Sequence, residues 1–375
     1  MRRRSLLLAA SGVGLVTTAR QVSAQNSLPD IVVGQTADLK GPLHDQVLAF
    51  NEGALLAFAD INSRGGLFGR RLRLVTLGDD GVPERALGNA QSLINDHHAQ
   101  IFFGCVGSNT TQALEPLLRE TGIPAFAGFA VTDSVRQKCR GAAYFMRATY
   151  GREIEQLVQH LTTIGVNRIG LVTLAGPIGE EIHKLMADAL ATRKLEIAVS
   201  TPVLADGSNI ADAARKLLAL QPQAVVMFIN GQLAADLMED APRIGLQSSF
   251  YGLSIVSGDV VMHRLGERAR GLVIVQAAPY PWNMFDATIH EYRNLCTMMK
   301  LTVSYYGLEG YVSAKVLADA LKRSGSELSR ARMHAAFRTL QSRYAGMDID
   351  FIAGGHTGSR FVELVQIARH GRYVH

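Results

Sequence analysis

Four polar residues in a row, Ser108, Asn109, Thr110 and Thr111, follow a short apolar run and stand at the start of a helical pattern. At the first turn of a helix, side-chain hydroxyls and backbone N–H groups without intrahelical partners can hold a carboxylate or phosphate oxygen. The same residue types also form ordinary N-caps that bind no ligand. The chemistry that the sequence offers here is therefore either oxygen binding or helix capping.

Other groups of reactive residues are weaker candidates. Asp79 and Asp80 could serve acid–base chemistry or a metal, but acids in front of a turn more commonly cap it. His97 and His98 are adjacent and cannot share one helical face, and no carboxylate spacing completes a metal site. Walker, dinucleotide-binding and nucleophile-elbow motifs are absent from the sequence. We therefore expect no catalytic residues, no cofactor and no metal.

The three cysteines, Cys105, Cys139 and Cys296, are too few for a disulfide framework and lack the paired spacing of a structural zinc site. In an exported protein Cys105 and Cys139 could form one disulfide. A disulfide forms only where the fold brings two cysteines close together, and the sequence leaves each pairing open.

The composition favours an exported α/β protein of two lobes. The chain has 375 residues, of which 47% are hydrophobic and 19% charged, which excludes a disordered chain. Residues 1–24 combine arginines, an apolar stretch at 6–16 and a small-residue cleavage site, the pattern of a Sec or twin-arginine signal peptide. Cleavage removes four arginines and no acid, which lowers the formal net charge from +5 by four, to +1. A basic nucleic-acid surface is therefore not supported, and no later segment is apolar enough to cross a membrane.

Strand and helix patterns alternate along the chain. Strands are predicted at residues 31–36, 72–77, 101–103, 124–127, 169–174, 197–199 and 224–229. Helices are predicted at 46–62, 83–95, 110–120, 152–164, a stretch ending near 193, 210–220 and 233–244. Three later helices, around 286–300, 309–323 and 330–340, precede a terminal strand at 361–368. Such alternation is typical of parallel strands joined by crossover helices, and its two blocks predict two similar lobes with a cleft between them.

One run places three glycines shortly after an Asp-Ile-Asn: Asp60-Ile61-Asn62-Ser63-Arg64-Gly65-Gly66-Leu67-Phe68-Gly69. Glycines there let the chain reverse tightly between a helix and a strand. Further motifs lie at residues 39–42, 79–86, 103–111, 276–282 and 308–311. In this order they make essentially the whole mature chain resemble the type I periplasmic solute-binding proteins of branched-chain amino-acid ABC transporters.

This resemblance implies the type I periplasmic-binding-protein fold: two lobes, each a mostly parallel sheet flanked by helices, connected by three hinge crossings. It predicts that lobe 1 comprises residues 28–147 plus 278–342. Lobe 2 is then formed by residues 148–277 plus 343–375. The late helices are expected to return to the first lobe.

The resemblance also implies ligand-binding positions on the edges of the cleft. Relatives hold the ligand carboxylate with the loop that here contains Ser108, Asn109 and Thr110. The positions predicted to contact a ligand are Ser108, Asn109, Thr110, Gly128, Phe129, Tyr150, Asn230, Ser254 and Trp282. Two of them have alternatives: Phe129 could stack on a ligand or pack in the core, and Trp282 could be a ligand platform or a hinge wedge.

The sequence departs from the family pattern in one respect. Amino-acid binders place an acid after the strand that here leads into residues 251–255, but this run, Tyr-Gly-Leu-Ser-Ile, contains none. A buried ammonium without a carboxylate partner is costly. The expected ligand is therefore a small organic acid, an aromatic or apolar molecule or an amide at least as readily as an amino acid.

Taken together, these features predict a non-enzymatic, monomeric periplasmic receptor that binds a small molecule and delivers it to the permease subunits of an ABC transporter. No nucleic acid partner and no stable membrane insertion after signal cleavage are expected. One alternative keeps the fold in a ligand sensor that acts through a regulator or a membrane receptor. A secreted α/β enzyme is the other alternative, although no recognisable nucleophile and base support it.

Overall fold

The computed structural model describes residues 28–375, so the predicted signal peptide at residues 1–24 lies outside the described residues. The strands are β1 (Ile31–Ala37), β2 (Leu72–Gly78), β3 (Ile101–Phe103), β4 (Ala125–Phe126), β5 (Ala143–Tyr144), β6 (Ile169–Leu174), β7 (Ile197–Val203), β8 (Ala224–Phe228), β9 (Ser249–Gly252), β10 (Val273–Gln276), β11 (Gln341–Tyr344), β12 (Met347–Asp350), β13 (Glu363–Ile367) and β14 (Tyr373–Val374).

The helices include each one that the sequence predicts and several short additions. They are α1 (His44–Ser63), α2 (Pro83–Asn95), α3 (Ser108–Thr121), α4 (Asp133–Lys138), α5 (Tyr150–Thr163), α6 (Pro177–Ala191), α7 (Ile210–Leu220), α8 (Gly231–Ile244), α9 (Gly258–Leu265), α10 (Ala287–Met299), α11 (Tyr305–Ser324), α12 (Arg330–Arg338) and α13 (Phe351–Gly354). Helix α11 begins at Tyr305, earlier than predicted, because the Ser304 hydroxyl accepts the Gly307 N–H at 3.0 Å and caps it.

The first sheet is parallel throughout, in the order β2-β1-β3-β4-β5. Strand β1, which lies between β2 and β3, is buried at every position because helices cover both faces of the sheet. Val33 and Phe103 face α1 and α11, whereas Val32 and Phe102 face α2 and α3. The carboxyl ends of these strands share one edge, so their loops emerge together.

The second sheet has the order β14-β13-β10-β9-β8-β6-β7. Strands β6 to β10 pair in parallel, and β13 and β14 add to the β10 edge in antiparallel fashion. The chain moves between the two sheets after β5, after β10 and after the β11–β12 hairpin. Two mostly parallel sheets flanked by helices confirm the predicted fold class.

The late part of the chain packs on the first sheet. Phe351, directly after β12, lies with its ring centroid 6.2 Å from that of Phe126 in β4. This contact groups the hairpin with the first sheet and favours a third crossing later than residue 343. The predicted lobe boundaries themselves stay predictions.

Helices α1 and α11 touch backbone to backbone, because glycines occupy the crossing. A Cβ on Gly53 would lie 1.8 Å from the Gly307 carbonyl oxygen. A Cβ on Gly310 would lie 1.9 Å from the carbonyl oxygen of Phe50. Since real Cβ atoms never approach that closely, this crossing requires glycine.

The Asp-Ile-Asn run forms the predicted turn from α1 into β2. The Asn62 side chain donates to the Leu72 carbonyl at 2.9 Å and accepts the Leu72 N–H at 2.8 Å. Gly66 has a φ of +71°, and a Cβ there would lie 2.0 Å from the Arg70 carbonyl oxygen. The motif is therefore scaffold, as its glycines predict.

Candidate functional site

A cavity of about 230 Å³ lies between the two sheets and is lined from both. The first sheet contributes loops that follow β1, β2, β3 and β4, and the second contributes the ends of β6 and β8 and the loops after β7 and β9. The lining residues are Asp38, Pro42, Leu43, Gly81, Val106, Gly107, Ser108, Asn109, Thr110, Ala130, Leu174, Ile178, Ala205, Phe228, Asn230 and Ile255. Four of the predicted ligand positions, Ser108, Asn109, Thr110 and Asn230, thus meet here.

The first turn of α3 faces this cavity with its backbone donors. Gly107 precedes the helix with a φ of +94°, which turns the chain from β3 into α3. The N–H groups of Ser108, Asn109 and Thr110 have no acceptor among the described residues, whereas the Thr111 N–H already bonds to the Gly107 carbonyl at 3.1 Å. Three free N–H groups at a helix N-terminus favour an anionic oxygen.

The hydroxyls in this turn hold the loop in place. Ser108 Oγ accepts the Thr132 N–H at 2.9 Å and donates to the Ala130 carbonyl at 3.4 Å. Thr110 Oγ1 donates to the carbonyl groups of Val106 and Gly107. Both hydroxyls are therefore engaged within the protein, and the backbone donors carry most of the capacity for a ligand.

Two helices from the second sheet also begin beside the cavity. Asn230 caps α8, because its Oδ1 accepts the N–H groups of Gln232 and Leu233, each at 3.0 Å. Helix α6 begins at Pro177, and its neighbour Ile178 lines the cavity. With α3, three helices begin beside one small space, and each helix N-terminus carries a partial positive charge.

Asp38 is the one charged side chain among the lining residues that the structure describes. Its carboxylate accepts backbone N–H groups from Lys40 at 3.3 Å, from Gly41, and from Leu43 at 3.1 Å. These bonds shape the loop between β1 and α1. Asp38 is not among the predicted ligand positions, although its place just after a buried strand and before Gly41-Pro42 is a signal for such a turn.

Three predicted positions lie behind the cavity wall. The Phe129 ring is buried against Phe50 and Tyr306, with centroid separations of 5.0 and 5.7 Å. Its neighbour Gly128 sits against the Cys105 carbonyl. Tyr150 is also buried and packs edge-on, at 4.9 Å, against the lining residue Phe228. These residues support the wall, and direct ligand contact by them stays a prediction.

Ser254 belongs to a buried polar network at the crossings. The Glu153 carboxylate accepts the Ser254 N–H at 2.9 Å and its hydroxyl at 2.7 Å. Tyr306 donates to the Ser254 carbonyl at 3.1 Å, and Arg147 pairs with Glu309 at 2.9 Å. Burial raises the pKa of Glu153 to about 7. The Ser254 hydroxyl thus points to Glu153, and Ser254 does not line the cavity.

Trp282 lies apart from the other predicted positions. Its ring stacks on Tyr373 at 5.6 Å and meets Tyr305 edge-on at 5.9 Å, beside a different cavity. The structure therefore does not bring Trp282 to the cavity between the sheets.

Several other features of residues 28–375 bear on the expected chemistry. No group of three or more His, Cys, Asp or Glu side chains there could hold a metal ion. In the same part of the chain, no helix is both long and apolar enough to cross a membrane. All three cysteines are buried free thiols, so the conceivable bond between Cys105 and Cys139 is not formed. Asp79 accepts the Thr36 hydroxyl at 2.7 Å and the Gly81 N–H at 2.9 Å, which confirms its role in a turn.

Comparison with known proteins assigns this architecture to a family. The sequence profile described as "Periplasmic binding protein" matches residues 30–372. The chain belongs to that family. As a periplasmic binding protein it is similar to the leucine-specific-binding protein of Salmonella typhimurium, with 25% identity over 87% of this chain and 86% of that protein.

Solved structures of periplasmic binding proteins agree with this fold. A substrate-binding periplasmic protein from Ralstonia solanacearum shares 26% identity and a TM-score of 0.85, over 92% of this chain and 99% of that one. An extracellular ligand-binding receptor from Verminephrobacter eiseniae, at 24% identity, superposes with a TM-score of 0.86 over 92% of this chain and 100% of that one. The resemblance stated from the sequence motifs is therefore confirmed.

Proposed function

We propose that this periplasmic binding protein is an exported receptor that holds a small, largely apolar carboxylate in the cavity between its sheets and delivers it to an ABC transporter permease. The observation that carries the proposal is the cavity itself. It is lined from both sheets, and the backbone donors of one helix N-terminus face it beside an otherwise mostly apolar surface.

The carboxylate end of the ligand is assigned to the first turn of α3. The free N–H groups of Ser108, Asn109 and Thr110 can each donate to an anionic oxygen, and the amide nitrogen of Asn230 can donate from the opposite side. Hydrogen bonds to a charged group contribute roughly 1.5–3 kcal/mol each. These donors therefore give both affinity and orientation.

The remainder of the ligand is assigned to the apolar wall of Leu43, Leu174, Phe228 and Ile255. A cavity of about 230 Å³ is small, since pockets for drug-sized ligands measure roughly 300–1,000 Å³. The space and the wall together suit a short branched or unbranched hydrocarbon chain. The leucine-specific-binding protein, a relative over most of both chains, is named for a ligand of this size.

A free ammonium group finds little support in the cavity. Asp38 is the one charged lining residue described, and its oxygens already accept three backbone N–H groups. An ammonium buried beside Asp38 would lose its hydrogen bonds to water and would gain only a carboxylate that already accepts three N–H groups, which is unfavourable. We therefore propose that the ligand carries a carboxylate without an α-ammonium group.

The arrangement of the two sheets supports the proposed delivery. A ligand that contacts both sides of the cavity binds the closed arrangement more tightly than an open one and so favours closure. The family of the chain supports export to the periplasm, where a permease would recognise the closed form.

The test compares two ligands of equal length that differ in one group. Calorimetry on the chain lacking residues 1–24 should show that 4-methylpentanoate binds and that leucine binds at least tenfold more weakly. The neutral amide, 4-methylpentanamide, should also bind more weakly than the acid, because the helix N-terminus favours negative charge.

Two substitutions at one position then test the donor. Ser108→Ala removes the hydroxyl, whereas Ser108→Pro also removes the backbone N–H at a helix position where proline is well tolerated. Ser108→Pro should bind the acid about tenfold or more weaker than Ser108→Ala, as expected for one charge-assisted hydrogen bond. Equal affinities of the two variants, or preference for leucine over the acid, would overturn the assignment.

A further inference from the structure

A second cavity, of about 580 Å³, lies at the crossing between β10 and α10, away from the cavity between the sheets. One side is formed by the loop after β10, and the other by the hairpin turn and the start of β13. The lining residues are Pro279, Tyr280, Trp282, Asn283, Met284, Phe285, Ala345, Gly346, Phe361, Glu363 and His375. None of them lines the first cavity.

Aromatic rings form one wall of this second cavity and fix each other in place. The Trp282 ring lies 5.3 Å from Tyr280 and 5.6 Å from Tyr373 between centroids. Tyr373 donates to Asp259 at 2.8 Å, which fixes its ring under the tryptophan. At the rim, Phe285 is 99% exposed and can adjust to an occupant. Electron-rich rings held in this way attract cations.

A carboxylate without a full set of partners lies in the same wall. Glu363, at the start of β13, keeps its buried Oε1 without a hydrogen-bond partner, and its Oε2 is 3.6 Å from His375 Nδ1. The nearby Tyr305 hydroxyl is also buried without a partner. An unpaired buried carboxylate oxygen is costly, so a positively charged occupant would be stabilising here.

No lysine or arginine lines the second cavity among the described residues. Arg293, which does not line the cavity, donates to the Trp282 carbonyl at 3.5 Å. An anion would therefore be repelled by Glu363, whereas a cation would meet a carboxylate and aromatic faces. The lining thus favours positive charge.

We propose that this second cavity binds an organic cation of the alkylated ammonium class, with its charge toward Glu363 and its alkyl groups against Tyr280 and Trp282. Carboxylate and aromatic faces together distinguish such a cation from a neutral molecule of the same shape and from a small, strongly hydrated metal ion. The site does not depend on the function proposed for the first cavity.

The chain itself supplies the probe for this site, because Trp282 is its one tryptophan. Titration with tetramethylammonium chloride should change the tryptophan emission in a saturable manner. Neutral tert-butanol and sodium chloride over the same range should not. An equal response to tert-butanol would show apolar contact alone and overturn the proposal.

Substitutions test whether the change in tryptophan emission comes from binding at this cavity. Glu363→Gln should weaken tetramethylammonium binding tenfold or more, whereas Glu363→Asp, which keeps the charge, should retain part of it. Glu196→Gln removes an exposed carboxylate elsewhere and should leave the titration unchanged. Ser108→Pro should also leave it unchanged, so the two proposals fail separately. Unaltered binding by a Glu363→Gln protein with the parent circular dichroism spectrum would overturn the proposal.

Discussion

Asn230 serves the fold and the cavity with different atoms of one side chain. Its Oδ1 is occupied by the two N–H groups of the first turn of α8. Its amide nitrogen has no acceptor in the described structure and belongs to a residue that lines the cavity. An amide therefore caps the helix and still offers a donor to a ligand, which a carboxylate in the same place could not do.

Replacing Asn230 by Asp should separate these two tasks. The variant keeps the cap, because Asp and Asn are comparable N-caps, so the thermal midpoint should stay near that of the parent. Binding of 4-methylpentanoate, measured by calorimetry, should weaken about tenfold or more because a donor becomes a negative charge facing an anion.

The same charge change at Asn167, exposed before β6 and at the far end of that strand from the lining residue Leu174, provides the control. Asn167→Asp should bind like the parent. Retained affinity in Asn230→Asp would show that Asn230 does not contact the ligand.

At the scale of elements, the crossing of α1 and α11 determines how closely the late helices can cover the first sheet. Gly53 and Gly310 remove the side chains that would separate the two backbones. Phe50 of α1 can then pack on Phe103 of β3, with ring centroids 5.4 Å apart, beneath α11. Gly53 and Gly310 therefore allow α1 and α11 to pack closely together over the first sheet.

Gly53→Ala should destabilise the protein, because its Cβ would overlap the Gly307 carbonyl unless the helices separate. Overpacking of this kind typically costs about 1–3 kcal/mol and occasionally more. Urea denaturation should show the lowered free energy of unfolding.

Gly88 is the matched control, since it lies in the exposed middle of α2 with no atom within 4 Å of a Cβ. Gly88→Ala should be neutral or stabilise by up to about 1 kcal/mol, because alanine loses less chain entropy in a helix. A Gly53→Ala protein as stable as the parent would show that the crossing tolerates separation.

Sequence patterns predicted the elements whose formation depends mainly on residues that are neighbours in the chain. β1 is recognisable from its β-branched run. Asn230 was selected through the family resemblance, as a cleft-facing position after the strand predicted to end at Ile229. The glycine crossing could not be predicted, because it joins residues 53 and 307, which no local pattern connects. Strands β10, β11 and β12 were not predicted because each has only four residues, too few positions to establish a period, even though β12 alternates apolar and polar residues.

The position of Trp282 could not be predicted from local sequence patterns either. Its loop follows the second crossing, after β10, and no sequence pattern indicates which way this loop turns. Stacking on Tyr373, from the last strand of the second sheet, selects the direction away from the first cavity. Asp38 was missed for a different reason: its side chain shapes a loop, and residue type alone does not separate that role from ligand binding.

For the whole molecule, a buried network of charged and polar groups joins the first crossing to α5 and α11. Arg147, at the first crossing, pairs with Glu309 of α11, and their side chains are 3% and 6% exposed. Glu153 of α5 holds Ser254, whose carbonyl accepts from Tyr306 of α11. The two sheets are therefore linked through ionisable groups, and a change in their protonation should change the free energy of unfolding of the whole chain.

The pH dependence of unfolding should report on Glu153. Burial raises its pKa from 4.5 to about 7, so between these values the native state binds more protons than the unfolded state. Stability contributed by this group is therefore greatest at low pH and is lost as the pH rises through the window, by on the order of 3 kcal/mol.

Chemical denaturation at pH 5, 6 and 7.5 should show a weaker decline for Glu153→Gln than for the parent. Glu155→Gln, an exposed position on the same helix, should follow the parent slope. Parallel curves for the parent and Glu153→Gln would mean that Glu153 does not change its protonation on folding.

The return of α11 to α1 has a consequence for how the protein is made. The apolar face that Val33 and Phe103 present has only α1 to cover it until the ribosome has synthesised the residues of α11. The amino-terminal half of a nascent chain therefore cannot complete its own core. For as long as α11 is missing, part of that face is open to chaperones and to aggregation with other nascent chains.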